Sequence, residues 1–207
     1  MDHIRRLIAE GEHQQLDFKF EIADARKIAK TFVAFANTDG GRLLIGVKDN
    51  GSIAGIRSDE EFYMMEAAAT IYSRPPVPFT FREWTVEGKT ILEVTIEKSP
   101  LKPHFAGYEE GKWKAFIRSG DQNFPAHRML LRIWKLEKKP TGPVLKMTEP
   151  ERLLLSYLAE NPSITLSKFT RIAKISRSRA ENILIRCILM KIVRMQFGED
   201  QLRFINA

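Results

Sequence analysis

The segment from Phe35 to Gly55, FANTDGGRLLIGVKDNGSIAG, constrains this chain more than any other. Just before it and at its start, Ile28, Phe32 and Phe35 recur at helical spacing. Asn37-Thr38-Asp39-Gly40-Gly41 then stops the helix, because glycine enters the left-handed region without a steric penalty. Leu43-Leu44-Ile45-Gly46-Val47 is an unbroken apolar run, which reads as a strand buried on both faces. Asp49-Asn50-Gly51 supplies the chemistry of a tight turn. A helix that stops, enters the interior of a sheet and turns back demands helices packed on a sheet. The run Gly41–Lys48 approaches a phosphate-loop string, but Val47 separates Gly46 from Lys48 and the segment is too apolar to cradle a phosphate.

Upstream lies Glu12-His13-Gln14-Gln15-Leu16-Asp17-Phe18-Lys19-Phe20, before a helix that starts near Asp24. The two segments in this order resemble the Schlafen AlbA-type domain, whose members are assigned to DNA binding in bacterial regulators. The family pattern opens E-S-x-x-x-E-F-K and continues F-A-N-x-x-G-G-x-(apolar)-x-I-G-V. Its end, a strand with Arg and Gly leading into a last helix, is similar to Lys114-Ala115-Phe116-Ile117-Arg118-Ser119-Gly120, so the resemblance covers roughly residues 8–135. It implies a nucleic-acid-binding regulator. It also implies an alternative. In the nuclease branch, two acids five residues apart and a third after the glycine-rich strand form a metal-dependent RNA-cleaving site, and by position those acids resemble Glu12, Asp17 and Asp49. Here Asp17 stands where the family has Glu, and Lys48 adjoins Asp49. Read from the residues alone, Glu12 and Asp17 pair with Lys19 or Arg118, and Asp49 caps a turn. The second reading is preferred, so no catalytic residue, metal or cofactor is expected.

Composition narrows the class. The chain has 207 residues, 43% of them apolar, enough for one or two cores. The lone Cys187 excludes an internal disulfide and suits a reducing compartment, and the start lacks the order of a secretory leader. With no long apolar run, a cytoplasmic protein without membrane contact is expected. The four histidines show no metal-binding spacing. Net charge is +7, unevenly placed: residues 1–139 carry 22 Lys and Arg against 20 Asp and Glu, whereas residues 140–207 carry 11 against 6. A clustered basic surplus favours a polyanion.

The stretch Lys138-Lys139-Pro140-Thr141-Gly142-Pro143-Val144 reads as a linker, since prolines around a glycine cannot continue a helix. The expected division is a first domain over 1–139, a linker over 140–146 and a second domain over 147–207. The first alternates helices (2–10, 24–38, 59–73, 125–137) with strands (15–20, 42–48, 53–56, 79–86, 90–97, 113–118). That pattern predicts an α+β fold, a mixed sheet with helices packed on it, and the resemblance implies that it is Schlafen AlbA-like. The second places three helices, capped by Thr148, Thr165 and Ser176, before two alternating strands around Gly198-Glu199-Asp200, the order of a small winged-helix domain.

On the third of those helices Ala180, Ile183, Leu184, Cys187 and Ile188 form one buried stripe. The other side presents Ser178, Arg179, Asn182 and Arg186, types that suit major-groove readout, with Arg177 at the helix start to hold a phosphate. Arg194 and Arg203 in the hairpin would add backbone contacts. Ile185 and Leu189 fall on the outward side, which predicts a homodimer contact or packing on the first domain. In the first domain Lys102-Pro103-His104-Phe105, Tyr108, Lys112-Trp113-Lys114 and Arg118 interleave cations with aromatics, a pattern that stacks bases and neutralises phosphates. The reading is a transcription regulator that binds duplex DNA through the winged helix. The alternatives are a metal-dependent endoribonuclease and a partner-docking module.

Overall fold

The computed structural model describes residues 3–56, 60–139, 142, 147–197 and 201–207. The chain forms two compact units, Met1–Ala126 and His127–Ala207. The division falls after Ala126, ahead of the linker segment 140–146, most of which lies outside the described residues. The helix expected to close the first domain belongs to the second unit instead.

In the first unit α1 (His3–Glu10) precedes β1 (Leu16–Lys19), α2 (Ala25–Asn37) and β2 (Gly41–Ile45). The next elements are α3 (Glu60–Thr70), β3 (Ser73–Arg74), β4 (Thr80–Val86) and β5 (Lys89–Ile96). The last are β6 (Phe105–Glu109), β7 (Lys112–Lys114), β8 (Phe116–Ser119) and β9 (Gln122–Pro125). The main sheet has the order β1-β2-β5-β4, with β1 and β2 parallel and the other pairs antiparallel. A parallel pair needs a crossover, and α2 provides it. Leu43, Ile45, Leu92, Val94 and Ile96 face α2 and α3 in one core. Leu16, Phe18, Leu44 and Ile91 meet Ile4 and Leu7 of α1 in another. Both faces are covered, which is why the run at β2 is apolar throughout.

Asp24 caps α2, its carboxylate accepting from the Arg26 N–H at 2.8 Å. At the other end Gly40 takes φ +73, and a Cβ on Gly41 would lie 2.5 Å from the Phe35 ring. Asn37 is fully used inside the protein. Its amide donates to the His104 and Phe116 carbonyls at 2.9 Å, and its carbonyl accepts from the His104 N–H at 2.8 Å. The Asn of FAN is therefore a staple between α2, the loop before β6 and β8. The expected strand at 53–56 reduces to one bridge, Val47 with Ile53. The expected strand at 113–118 is broken at Ala115, and β3, β6 and β9 had no period long enough to announce them.

The second unit opens with α4 (Arg128–Glu137) and continues through α5 (Glu149–Glu160), α6 (Leu166–Ala173) and α7 (Arg177–Leu189). The antiparallel pair β10 (Val193–Gln196) and β11 (Arg203–Asn206) follows. The expected turn between these strands, 198–200, lies outside the described residues. Thr165 and Ser176 cap α6 and α7 as their sequence positions predict. Thr148 precedes α5, but its hydroxyl donates to Glu151 and makes no cap bond to the helix backbone. One core gathers Leu154, Leu158, Phe169, Ile183, Leu184 and Phe204 together with Met129 and Ile133 of α4.

Candidate nucleic-acid interface

The helix pair α6 and α7 is joined by Lys174-Ile175-Ser176, with Lys174 in the left-handed region at φ +51. That residue turns the chain sharply, and Ser176 starts α7 by accepting from the Arg179 N–H at 3.3 Å. The first turn of α7 then carries Arg177, Ser178 and Arg179, all exposed. Among the described residues, Ser178 and Arg179 make no side-chain hydrogen bond or ion pair.

The rest of the polar side is tied down. Glu181 is 4% exposed on α7, between residues assigned to the apolar stripe. It pairs with Arg128 and, at 3.3 Å, with Arg177, and Arg132 approaches at 3.7 Å. Burial pushes its carboxyl pKa up, but the guanidinium groups outweigh burial and hold it below the ordinary value. Arg132 also donates to the side-chain Oδ1 of Asn182 at 2.7 Å. Arg186 donates to Glu151 at 2.6 Å, and with Thr148 it lowers the Glu151 carboxyl in spite of burial. Of the residues proposed to read DNA on α7, Arg177, Asn182 and Arg186 thus have partners within the unit.

Ile185 is 2% exposed, and Leu189 is half-buried. The expectation that they face outward fails because α4 packs on this side of α7, and Ile185 joins Met129 and Ile133. Burying such a side chain is worth about 1.5–3 kcal/mol, so an amphipathic helix some fifty residues earlier in the chain takes the place assigned to a second copy. The observation that motivated a homodimer is gone. Cys187 is buried, and its thiol is pushed up to about 11 by burial.

On the hairpin, Gln196 pairs with Arg203 and Arg194 with Ile205. These four share one face, and Val193 and Phe204 point from the other into the core. Arg194 and Arg203 are therefore exposed neighbours on one surface. Ile164 adds a bridge to Phe204 at the far side of β11.

In the first unit Glu12 and Asp17 lie beside each other, but among the described residues no third acid joins them. Asp17 is 3% exposed; Lys19 stands 3.0 Å from one oxygen and Arg118 3.2 Å from the other. Glu12 accepts from the Phe18 N–H at 2.8 Å, and its carboxyl is raised by burial and by the neighbouring Asp17. Asp49 lies exposed in the turn closed by the bond from Gly51 N to Lys48 O. Among the described residues no three acids, histidines or cysteines gather to hold a metal ion.

Arg118, expected at a nucleic-acid surface, is itself 3% exposed. Besides Asp17 it donates to the His13 and Leu16 carbonyls and to the Asn123 side chain, so its fork is consumed within the fold. This correction follows from desolvation: a buried guanidinium must use its donors where it sits. Lys112 is exposed and pairs with Glu109. Lys114 is exposed and lies 4.9 Å from the Tyr108 ring centre. No sequence signal singled out Arg74, whose guanidinium lies 4.0 Å from the Trp113 ring centre.

The profile of the family described as Schlafen, AlbA_2 matches residues 12–127, more than half of the chain. The chain belongs to the Schlafen, AlbA_2 family. Membership gives the first unit a general association with nucleic acids, and it ends where the second unit begins. No curated protein matches the chain. Among solved structures it is similar to the DIP2311 protein from Corynebacterium diphtheriae, with 20% identity over 84% of this chain and a TM-score of 0.48. The chain spans only 32% of the length of that protein. It is also similar to the N-terminal domain of a RecG-related protein from Nitrosomonas europaea, with 22% identity, 62% of this chain and 94% of that one covered, and a TM-score of 0.44. No helix among the described residues of this Schlafen, AlbA_2 protein is long and apolar enough to cross a membrane.

Proposed function

We propose that this protein is a nucleic-acid-binding regulator whose second unit reads duplex DNA as a winged helix. One observation carries the reading. The first turn of α7 stands exposed with Ser178 and Arg179 unpartnered among the described residues, while α4 covers the later part of the helix. Three further features support it: the short turn from α6 into α7, the hairpin after α7, and the strand-like bridge at Ile164. Arg179 would reach base edges, Ser178 would adapt to either base, and the free N–H groups of α7 would face a phosphate. Arg194 and Arg203 on the hairpin would hold the backbone beside it.

The partnered side chains take a supporting role. Arg177, Arg132 and Arg128 converge on one buried carboxylate, which fixes the helix start and lowers the positive charge there by one. The test is a titration of the full chain with a labelled duplex at rising salt. About four neutralised phosphates predict a slope of log affinity on log salt near −3.6. Arg203→Ala should lower the slope by about 0.9 and weaken all sequences alike, and Arg179→Ala should flatten the preference among sequences. No binding to any duplex at low salt would end the proposal.

A further inference from the structure

The small sheet β3-β6-β7 of the first unit carries cations on aromatic rings, and the contacts are layered. Gly107 of β6 pairs with Trp113 of β7, and the indole lies flat across the glycine: a Cβ there would stand 3.4 to 3.6 Å from three of its ring atoms. Arg74 lies over the indole, its guanidinium carbon 4.0 Å from the ring centre. Arg74 is exposed, so the guanidinium on the indole is open to solvent. The Gly107 N–H also donates to the Tyr72 carbonyl at 3.0 Å, and Arg26 of α2 lies 5.3 Å from the Tyr72 ring. The register sets Arg74 and Trp113 on one face of the sheet, since Arg74 pairs with Phe105 and Trp113 with Gly107, whereas Lys114, 4.9 Å from the Tyr108 ring centre, leaves β7 on the other face. Among the described residues no carboxylate lies within 4 Å of Arg26, Lys30, Arg74 or Lys114. The acids nearby, Glu109 and Glu110, sit at the β6–β7 tip, where Lys112 occupies Glu109.

An exposed guanidinium that is stacked but unpaired has two unused assets. Its outer plane accepts a base, and its N–H edge accepts a phosphate oxygen. A duplex offers edges and phosphates but keeps its base faces stacked, so a platform of this kind recognises unstacked bases. We propose that Arg74 on Trp113, with Arg26 beside it on Tyr72, is a binding surface for single-stranded nucleic acid, separate from the duplex-reading surface of the second unit. The proposal goes beyond the duplex reading and does not depend on it.

The experiment titrates the full chain against fluorescein-labelled dT20 and, separately, a labelled 20-base-pair duplex at low salt. Saturable dT20 binding should weaken about tenfold in Arg74→Ala, the loss of one stacked base. Trp113→Ala should weaken it at least as much, and Trp113→Phe should retain most of it. Arg74 is exposed, so its variant tests the idea even where Trp113→Ala disturbs the fold. Neither Arg74→Ala nor Trp113→Phe should move the duplex affinity, which Arg203→Ala moves instead. Undetectable dT20 binding at about 10 µM protein, a concentration that reveals Kd values near micromolar, would overturn the proposal. So would unchanged affinity in Arg74→Ala, or a loss shared equally by dT20 and duplex.

Discussion

Glu181 offers the sharpest test of how the second unit is wired, because stability and DNA affinity should move in opposite directions when it is neutralised. In Glu181→Gln the volume is kept and one formal charge is removed. The carboxylate side chain is 5% exposed, whereas Arg128, Arg132 and Arg177 are 62%, 48% and 62% exposed. The arginines can turn to water, so each lost pair counts near the upper end for surface pairs, about 1 kcal/mol. Relief of the buried charge offsets part of that sum, which leaves a loss of about 1–2 kcal/mol. For a unit of this size each kcal/mol shifts the midpoint by about 4–8 °C, so calorimetry of the full chain should show a drop of about 5–15 °C in the transition of the second unit. At the same time Arg177, beside the exposed first turn of α7, is released to meet a phosphate. The salt slope should steepen by about 0.9, and affinity at low salt should rise. Weaker duplex binding with an unchanged slope, in protein whose circular dichroism matches the parent, would refute the reasoning: the arginines would then not face the ligand.

Three other outcomes follow from the same geometry. Arg118→Ala leaves Asp17 buried with only half-exposed Lys19, and should cost the first unit about 3 kcal/mol, near the low end for breaking a buried pair; urea unfolding with no shift in midpoint would count against the pair. Glu151 and Glu181 are held below the ordinary 4.5, so their contribution is complete above that pH and is lost as pH falls through their folded values. The second unit should therefore melt lower at pH 3 than at pH 6, and equal midpoints would contradict the assigned pairs. Cys187, buried with its thiol near 11, should not react with a thiol reagent at pH 8 until the protein is unfolded, and rapid labelling of folded protein would show the site to be open.

Much of the frame was legible because it depends on neighbours in sequence. The helix before Asn37, the glycine stop, the doubly buried strand at Leu43–Ile45 and the caps Thr165 and Ser176 each rest on a local rule of period or hydrogen bonding. They appear where those rules put them. The basic residues at the start of α7 were legible for the same reason. The partner of a charged residue was not. Asp17 and Arg118 are 101 positions apart, and Arg132 is 50 from Asn182. Periodicity reports that a face is apolar and is silent on which segment will cover it.

The sequence by itself determined the family, the helices and strands from α1 to β2, and the three helices with two strands of the second unit. Tertiary structure alone decided that α4 joins the second unit. It buried Ile185, took Arg118 out of solvent, and gathered three arginines on Glu181. The physical reason is common to all four. Each depends on which groups exclude water from one another, and desolvation is settled by packing between segments distant in the chain, not by the residues on either side.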